Sequence, residues 1–439
     1  MDPVAYLSQV RFHQSIQCRR TQSRVTFALG GNGWDAAVTS KYGSINTAAS
    51  STEGYHHQGP LLLYLLPSGC SRLLGMILEG ICRESNVSIL AIDRPGSGGT
   101  PMCPLEERIQ IATQQTLSVL EALQLDRPGM PQLRLLSHSA GWFYALALLQ
   151  TAPQYFARLD SPPKIVLSSP FVPTSQSSST MLSLLPKGLV ALTPKVMPVL
   201  GRSINWSTGM VDDIASVGKG WVAWSSADVD PAQSQERKQA DREKLDQKNR
   251  EVQARSKQKH PHARFHPPYE SHLKFGLDAW KHSDVPAEER PRHPKTNRPL
   301  KSGGDLLFDY FQEEGSMAGM CEDYQLCLGN APSLNNEALT RWIVERLEQV
   351  FTSIVSLSSL PVQLIVVWGD ADFLIPRKGR DWLDSVLKRH ERDSNVKYER
   401  WDMAEAGHDA TLFSEDVMND VLAFLTGATD QLGFRPSSN

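Results

Sequence analysis

Leu133-Arg134-Leu135-Leu136-Ser137-His138-Ser139-Ala140-Gly141-Trp142-Phe143-Tyr144-Ala145-Leu146-Ala147-Leu148-Leu149 carries the reading of this chain. An apolar run with strand character gives way at once to an apolar run with helix character, and the five residues Ser137 to Gly141 form the bend. A serine at such a strand-to-helix bend, with small residues two before and two after it, reads as a nucleophile elbow. The bend forces Ser139 into a strained backbone conformation, and small neighbours leave room for the close approach of strand and helix. The hydroxyl is thereby exposed, and the N–H of Ala140 falls at a helix N-terminus, where an oxyanion can be held. The usual pattern has Gly in the first place, where this chain has the equally small Ser137. A serine-rich turn after a core strand would look the same locally, so the rest of the chain must decide.

A nucleophilic serine needs a base to take its proton and a carboxylate to orient that base, and in this arrangement the chain order is Ser, then Asp or Glu, then His. Pro361-Val362-Gln363-Leu364-Ile365-Val366-Val367-Trp368 is a β-branched apolar run with the character of a strand buried on both faces. It ends in Gly369-Asp370-Ala371-Asp372, which sets carboxylates at the C-terminal edge of a sheet, where open α/β sheets keep their sites. One helix-like and one strand-like segment later comes Ala406-Gly407-His408-Asp409. Three sheet edges supply the three residue types in the required order.

With these elements in place the sequence resembles the α/β-hydrolase superfamily, in particular its lid-bearing branch of esterases, lipases, epoxide hydrolases and related enzymes. Ile92-Asp93-Arg94-Pro95-Gly96-Ser97-Gly98-Gly99-Thr100 is similar to the family's Asp-Arg-Pro-Gly-x-Gly-x-Ser turn after the fourth strand, with Thr in the last place. Leu61 to Leu66 followed by Pro67-Ser68-Gly69-Cys70-Ser71 sits where the family has its third strand and a His-Gly-x loop. The likeness covers roughly residues 60–170 and 360–425. It implies a mostly parallel twisted sheet flanked by helices, with Ser139 as nucleophile, Asp372 as acid and His408 as base. Asp372 is preferred to Asp370 because the family's Gly-Asp-x-Asp turn uses its second carboxylate, which lies further off the strand end; Asp370 is expected to cap the turn. Asp409 is a lesser rival, since adjacent residues rarely orient each other well. Because Pro67-Ser68 replaces the family's His-Gly pair, alignment gives the first oxyanion donor as the backbone of Gly69, with Ser68 and Cys70 as competitors, beside Ala140 as the second. His138 is read as a packing or orienting residue.

Composition excludes several other classes. A formal net charge of -3 over 439 residues gives no electrostatic case for nucleic acid as a partner. Six cysteines show no Cys-x-x-Cys spacing, and the closest pair, Cys321 and Cys327, reads as reduced thiols. The N-terminus lacks the basic region and apolar core of a secretory signal, Arg435-Pro436-Ser437-Ser438-Asn439 is not a peroxisomal address, and no apolar run is long enough to span a bilayer. A cytoplasmic location is the expectation. No metal and no organic cofactor is called for.

Three regions follow from the pattern. Residues 1–170 form the first part of the core, with edge strands in the first sixty residues (25–29 the clearest), a loop over 30–54, a helix within 105–125 and a strand at Lys164-Ile165-Val166-Leu167. Residues 171–335 interrupt the β/α alternation where the family carries a lid, or cap. Within it, 181–200 is apolar and broken by Pro186, Pro194 and Pro198, which suggests short helices facing an apolar pocket and a peripheral membrane contact. Residues 231–301 hold 17 Lys and Arg against 10 Asp and Glu, and are expected to be a solvated helix running into disorder. Their scattered His260, His262, His266, His272, His282 and His293 lack metal-ligand spacing. Residues 336–439 return to the core through a helix at 337–355 that carries Leu339, Trp342, Ile343, Leu347, Val350 and Phe351 on one side.

The expectation is therefore a serine hydrolase acting on a carboxylic ester of apolar character through an acyl-enzyme. The same triad would serve a thioesterase, amidase, carbon-carbon hydrolase or acyltransferase. A non-catalytic ligand-binding protein on the same fold is the reading from a different class. A serine at the elbow speaks against epoxide hydrolases and dehalogenases, which place a carboxylate there.

Overall fold

Strands whose every residue is apolar need cover on both faces, and the architecture supplies it. A computed structural model describes residues 3–34, 59–177 and 317–428 apart from a few single positions, with short pieces between 247 and 314. Its strands are β1 (Gln14–Cys18), β2 (Ser23–Gly31), β3 (Leu61–Leu65), β4 (Ser88–Ile92), β5 (Leu133–His138), β6 (Lys164–Ser168), β7 (Arg264–His266), β8 (Asn330–Ala331), β9 (Leu334–Asn335), β10 (Val362–Gly369) and β11 (Val396–Met403). All but the small β8-β9 hairpin join one sheet in the order β1-β2-β4-β3-β5-β6-β10-β11-β7. The pairs β1-β2 and β2-β4 are antiparallel, and every later neighbour is parallel. Antiparallel strands at one edge, a β4-β3 exchange and helix-linked parallel strands beyond it make this the α/β-hydrolase fold.

Alternate residues of each strand feed two cores. Leu61, Leu63, Leu133, Leu135, Ile165, Leu364 and Val366 pack against helices α1 (Arg108–Ala122), α2 (Gly141–Thr151), α4 (Asn336–Leu357) and α5 (Arg377–Asp393). Leu62, Tyr64, Leu136, Val166, Ile365 and Val367 turn to the other face, beneath α6 (Glu415–Thr426) and the short helix Glu79–Glu84. The apolar side of α4 is the one expected, with Leu339, Ile343, Leu347, Val350 and Phe351 buried, and Asn335 caps it by accepting the Ala338 N–H at 2.9 Å. The strand expected at 25–29 is longer, reaching Gly31 and shortening the loop.

The interrupting region differs from expectation in one respect. Three residues of the basic stretch expected to be solvated, Arg264–His266, form a strand that extends the sheet beside β11. Two of its side chains settle there: the Arg264 guanidinium lies 4.8 Å from the Trp401 ring centre, and the His266 ring, tilted by 46°, lies 5.0 Å from the same ring. A later part of the region, α3 (Met317–Cys327), lies against the core. The apolar stretch 181–200 lies outside the described residues. Among the described residues no helix is long and apolar enough to cross a membrane.

Burial, helped by the charge of Arg264, pushes the His266 imidazole down from 6.5 to about 4. Asp420 is 3.7 Å from its Nδ1 but is itself paired with Arg264. Below pH 6.5 the unfolded chain therefore binds a proton that the folded chain refuses. Stability should fall as pH drops from 6.5 toward 4, by up to about 3 kcal/mol from this group. Urea melts at pH 7.5 and 4.5 should show a smaller loss for His266→Phe than for the native chain.

Candidate active site

At the end of β5 the chain turns through Ser139, whose φ of +51° is a left-handed conformation rare for a residue with a side chain. Two contacts hold it there. The Ser139 N–H donates to the Ser168 carbonyl at 3.0 Å, and its own carbonyl accepts from Phe171 N–H at 3.3 Å. Gly141 then lets α2 run directly over the end of β3, since a β-carbon at that position would collide with the carbonyl oxygens of Leu65 and Leu66. Ala140 is the N-cap residue of α2.

Past the ends of β10 and β11 the other two expected residues meet. Asp372 and His408 are both buried, and His408 Nδ1 is 2.8 Å from Asp372 Oδ2. The second oxygen of Asp372, Oδ1, accepts the Ile375 N–H at 2.9 Å. That is the turn-capping role the sequence assigned to Asp370, whose side chain stands exposed, so the assignment is corrected: one carboxylate both caps the turn and orients the histidine. Asp409 partners His138 instead of its chain neighbour. Among the described residues no hydrogen bond links the Ser139 hydroxyl to His408; such bonds are often long before substrate binds.

His138 does more than pack. It is fully buried, with Nε2 2.8 Å from Asp409 Oδ1 and Nδ1 3.1 Å from Ser168 Oγ. Ser168 Oγ continues to Thr411 Oγ1 at 2.7 Å, which donates to the His408 carbonyl at 3.3 Å. The two imidazole rings lie 5.1 Å apart. Burial lowers the His138 pKa, against the pull of Asp409. Burial would raise the Asp409 carboxyl, but the hydrogen bond and charge of His138 and the charge of His408 hold it below its ordinary value. The sequence offered His138 and Asp409 side by side with the principal residues, without a sign that they bond each other.

The loop after β3 holds Gly69 at φ +74°, and a β-carbon there would fall 2.8 Å from Met320 Cγ of α3. This loop is fixed from behind by Arg94, which donates through Nη1 to the Leu66 carbonyl and through Nη2 to Pro67 O at 2.6 Å. The same Nη2 reaches Asp323 Oδ2 of α3 at 2.5 Å. Arg108 Nε and Tyr144 Oη converge on Asp323 Oδ1 at 2.7 and 2.6 Å. Burial alone would raise the Asp323 carboxyl, and the charges of Arg108 and Arg94 overcome it. Nine residues earlier in the chain, Glu314 pairs with Arg72 at 2.8 Å, and Arg72 in turn with Asp93. Pattern reading missed Asp323 because its partners lie across the insertion; the arginine of the Asp93-Arg94-Pro95 turn was visible, its counter-charge was not. Cys321 and Cys327 are buried and form no disulfide with each other.

No protein-family model matches the chain, and no curated protein sequence matches it. Solved structures similar to it include an α/β-hydrolase enzyme from a Medee basin deep-sea metagenome library (11% identity, 95% of this chain and 98% of that one, TM-score 0.46). An epoxide hydrolase of Vigna radiata (14%, 95% and 97%, TM-score 0.43) is another. A third is an enol-lactonase of Burkholderia xenovorans (11%, 93% and 96%, TM-score 0.40). The assignment of the fold rests on strand order and connection, described above.

Asp323→Asn would leave Arg94 and Arg108 as buried charges without their carboxylate. Breaking such a pair typically costs about 3–5 kcal/mol. Denaturant melts should register a loss of that order, and a far smaller one for Glu121→Gln, whose partner Arg20 is exposed.

Proposed function

We propose that this chain is a serine hydrolase that cleaves a carboxylic ester of apolar character through an acyl-enzyme. The observation that carries the proposal is the left-handed Ser139 at the strand-to-helix turn, on the same sheet edge as the buried Asp372–His408 pair. In this reading Ser139 Oγ attacks the acyl carbonyl while His408 Nε2 takes its proton. Asp372, bonded at Nδ1, holds the tautomer that leaves the proton-accepting nitrogen on the serine side and stabilises the imidazolium that forms. The tetrahedral oxyanion is bound by the backbone N–H groups of Ala140 and Gly69; loss of one such donor typically costs about 2.7–4 kcal/mol. His408 then returns its proton to the leaving alcohol, and water enters by the same route in reverse to release the acid.

The apolar character of the substrate is inferred from the apolar composition of residues 181–200. Carboxylate-nucleophile chemistry is disfavoured because the elbow residue is serine. Thioester, amide and carbon-carbon cleavage or acyl transfer share the triad, and a substrate panel separates them. A lipid contact through residues 181–200 remains an expectation from sequence composition.

The test is labelling by a fluorophosphonate probe, followed by hydrolysis of p-nitrophenyl esters of increasing acyl length. Labelling should vanish in Ser139→Ala and fall steeply in His408→Ala. Asp372→Asn should retain the fold and lose about four orders of magnitude in kcat. A folded native chain that takes no label, yet binds apolar ligands equally well as Ser139→Ala, would establish the ligand-binding reading instead.

A further inference from the structure

Of the side chains, the reaction proposed above uses Asp372, His408 and Ser139, and it gives the buried His138 and its partner Asp409 no chemical role. One ligand atom from each of His138, His408 and Asp409 lies within 4.8 Å of the other two. We propose that these three residues form a binding site for a divalent transition metal ion of the zinc type, and that its occupancy withdraws His408 from catalysis.

The donor set is the first argument. Two imidazoles and one carboxylate are ligands that zinc prefers, and three protein ligands with an open fourth position are the arrangement in which zinc keeps an exchangeable site. The second argument is the surroundings of the ligands. Metal-binding histidines characteristically hold their other ring nitrogen in a hydrogen bond that fixes the ring. Both rings here are so held, His408 Nδ1 by Asp372 Oδ2 at 2.8 Å and His138 Nδ1 by Ser168 Oγ at 3.1 Å. Coordination would therefore run through the Nε2 of each ring. Asp409 closes the set from the start of the short helix Ala410–Phe413, and its side chain is about a quarter exposed, which gives an ion a way in.

The protons balance without an external base. In the metal-free site the chemistry of the partners puts the single proton of His138 on Nε2, donated to the Asp409 carboxylate. On binding, that proton moves to Nδ1, where Ser168 Oγ accepts it, and the Nε2 lone pair goes to the metal. His408 already carries its proton on Nδ1, toward Asp372, so its Nε2 lone pair coordinates unchanged. Ser168, whose hydroxyl proton faces His138 Nδ1 in the metal-free site, turns that proton to Thr411 Oγ1 at 2.7 Å, and Thr411 goes on donating to the His408 carbonyl. The metal-free site catalyses and the metal-bound site does not, because the lone pair that would take the Ser139 proton is engaged.

Only this last consequence rests on the serine-hydrolase reading, and the experiment separates the two. Zinc binding is measured by calorimetry on the full chain and on Ser139→Ala, His138→Gln and Asp409→Asn, with circular dichroism as the check on folding. The expected result is one equivalent bound alike by the native chain and Ser139→Ala, and at least tenfold more weakly by Asp409→Asn and His138→Gln. Equal affinity in all four would assign the zinc to other histidines or thiols of the chain and overturn the site. Should a variant fail to fold, cobalt(II) added to the native chain decides: visible bands of a four-coordinate ion, lost on adding one equivalent of zinc, support the site, and a hexa-aqua spectrum overturns it. In parallel, fluorophosphonate labelling of Ser139 should slow at least tenfold with zinc and recover with EDTA. Absence of labelling without zinc would sink the hydrolase reading alone, whereas zinc bound at these residues with labelling unchanged would overturn the inhibitory role.

Discussion

The contact between Gly141 and the carbonyl oxygens of Leu65 and Leu66 sets the geometry on which everything else depends. It brings the first turn of α2 against the end of β3, and by doing so puts the Ala140 N–H and the loop through Gly69 on the same side of the sheet. The left-handed turn at Ser139 is the cost of this closeness. It is held because the serine's N–H and C=O are both engaged, by Ser168 and Phe171, so that relaxing the turn would break two backbone hydrogen bonds. Strained residues over-determined by their surroundings cluster at functional sites.

A second constraint is electrostatic. Arg72, Arg94 and Arg108 are buried in the core, and the carboxylates that compensate Arg94 and Arg108, and part of the compensation of Arg72, arrive from residues 314–327. Buried ions are tolerated only when paired and hydrogen-bonded, so α3 is held at one place. The pairing passes through Arg94 to the Leu66 and Pro67 carbonyls, which makes the loop at Gly69 and the helix carrying Met320 parts of one network.

What could be read from the sequence divides along physical lines. The elbow, the Asp372 turn and His408 were legible because each obeys a local demand: small residues at a close approach, a carboxylate past a strand end, a histidine one β/α unit later. Sheet-forming runs were legible for the same reason, since burial on two faces leaves no polar alternation. Asp323 and Asp409 were not, because their meaning lies in partners 229 and 271 residues away, and no periodicity encodes such pairs. The division of labour at Gly369-Asp370-Ala371-Asp372 was half legible; the family pattern selects Asp372, while its hold on the Ile375 N–H depends on how the turn closes in space. Arg264–His266 shared the polar, basic composition of the residues around it, and its pairing with β11 is what makes a strand of it.

That edge strand changes what the long insertion is. A lid in the ordinary sense is an appendage that could be trimmed back to a bare core. Among the described residues the inserted chain supplies the last rung of the sheet and the counter-ions of three core arginines. Excising it would bare the hydrogen-bonding edge of β11, the kind of surface that recruits strands from other molecules, and would strand positive charge in the interior. A shortened version of this protein would have to keep both of these contacts.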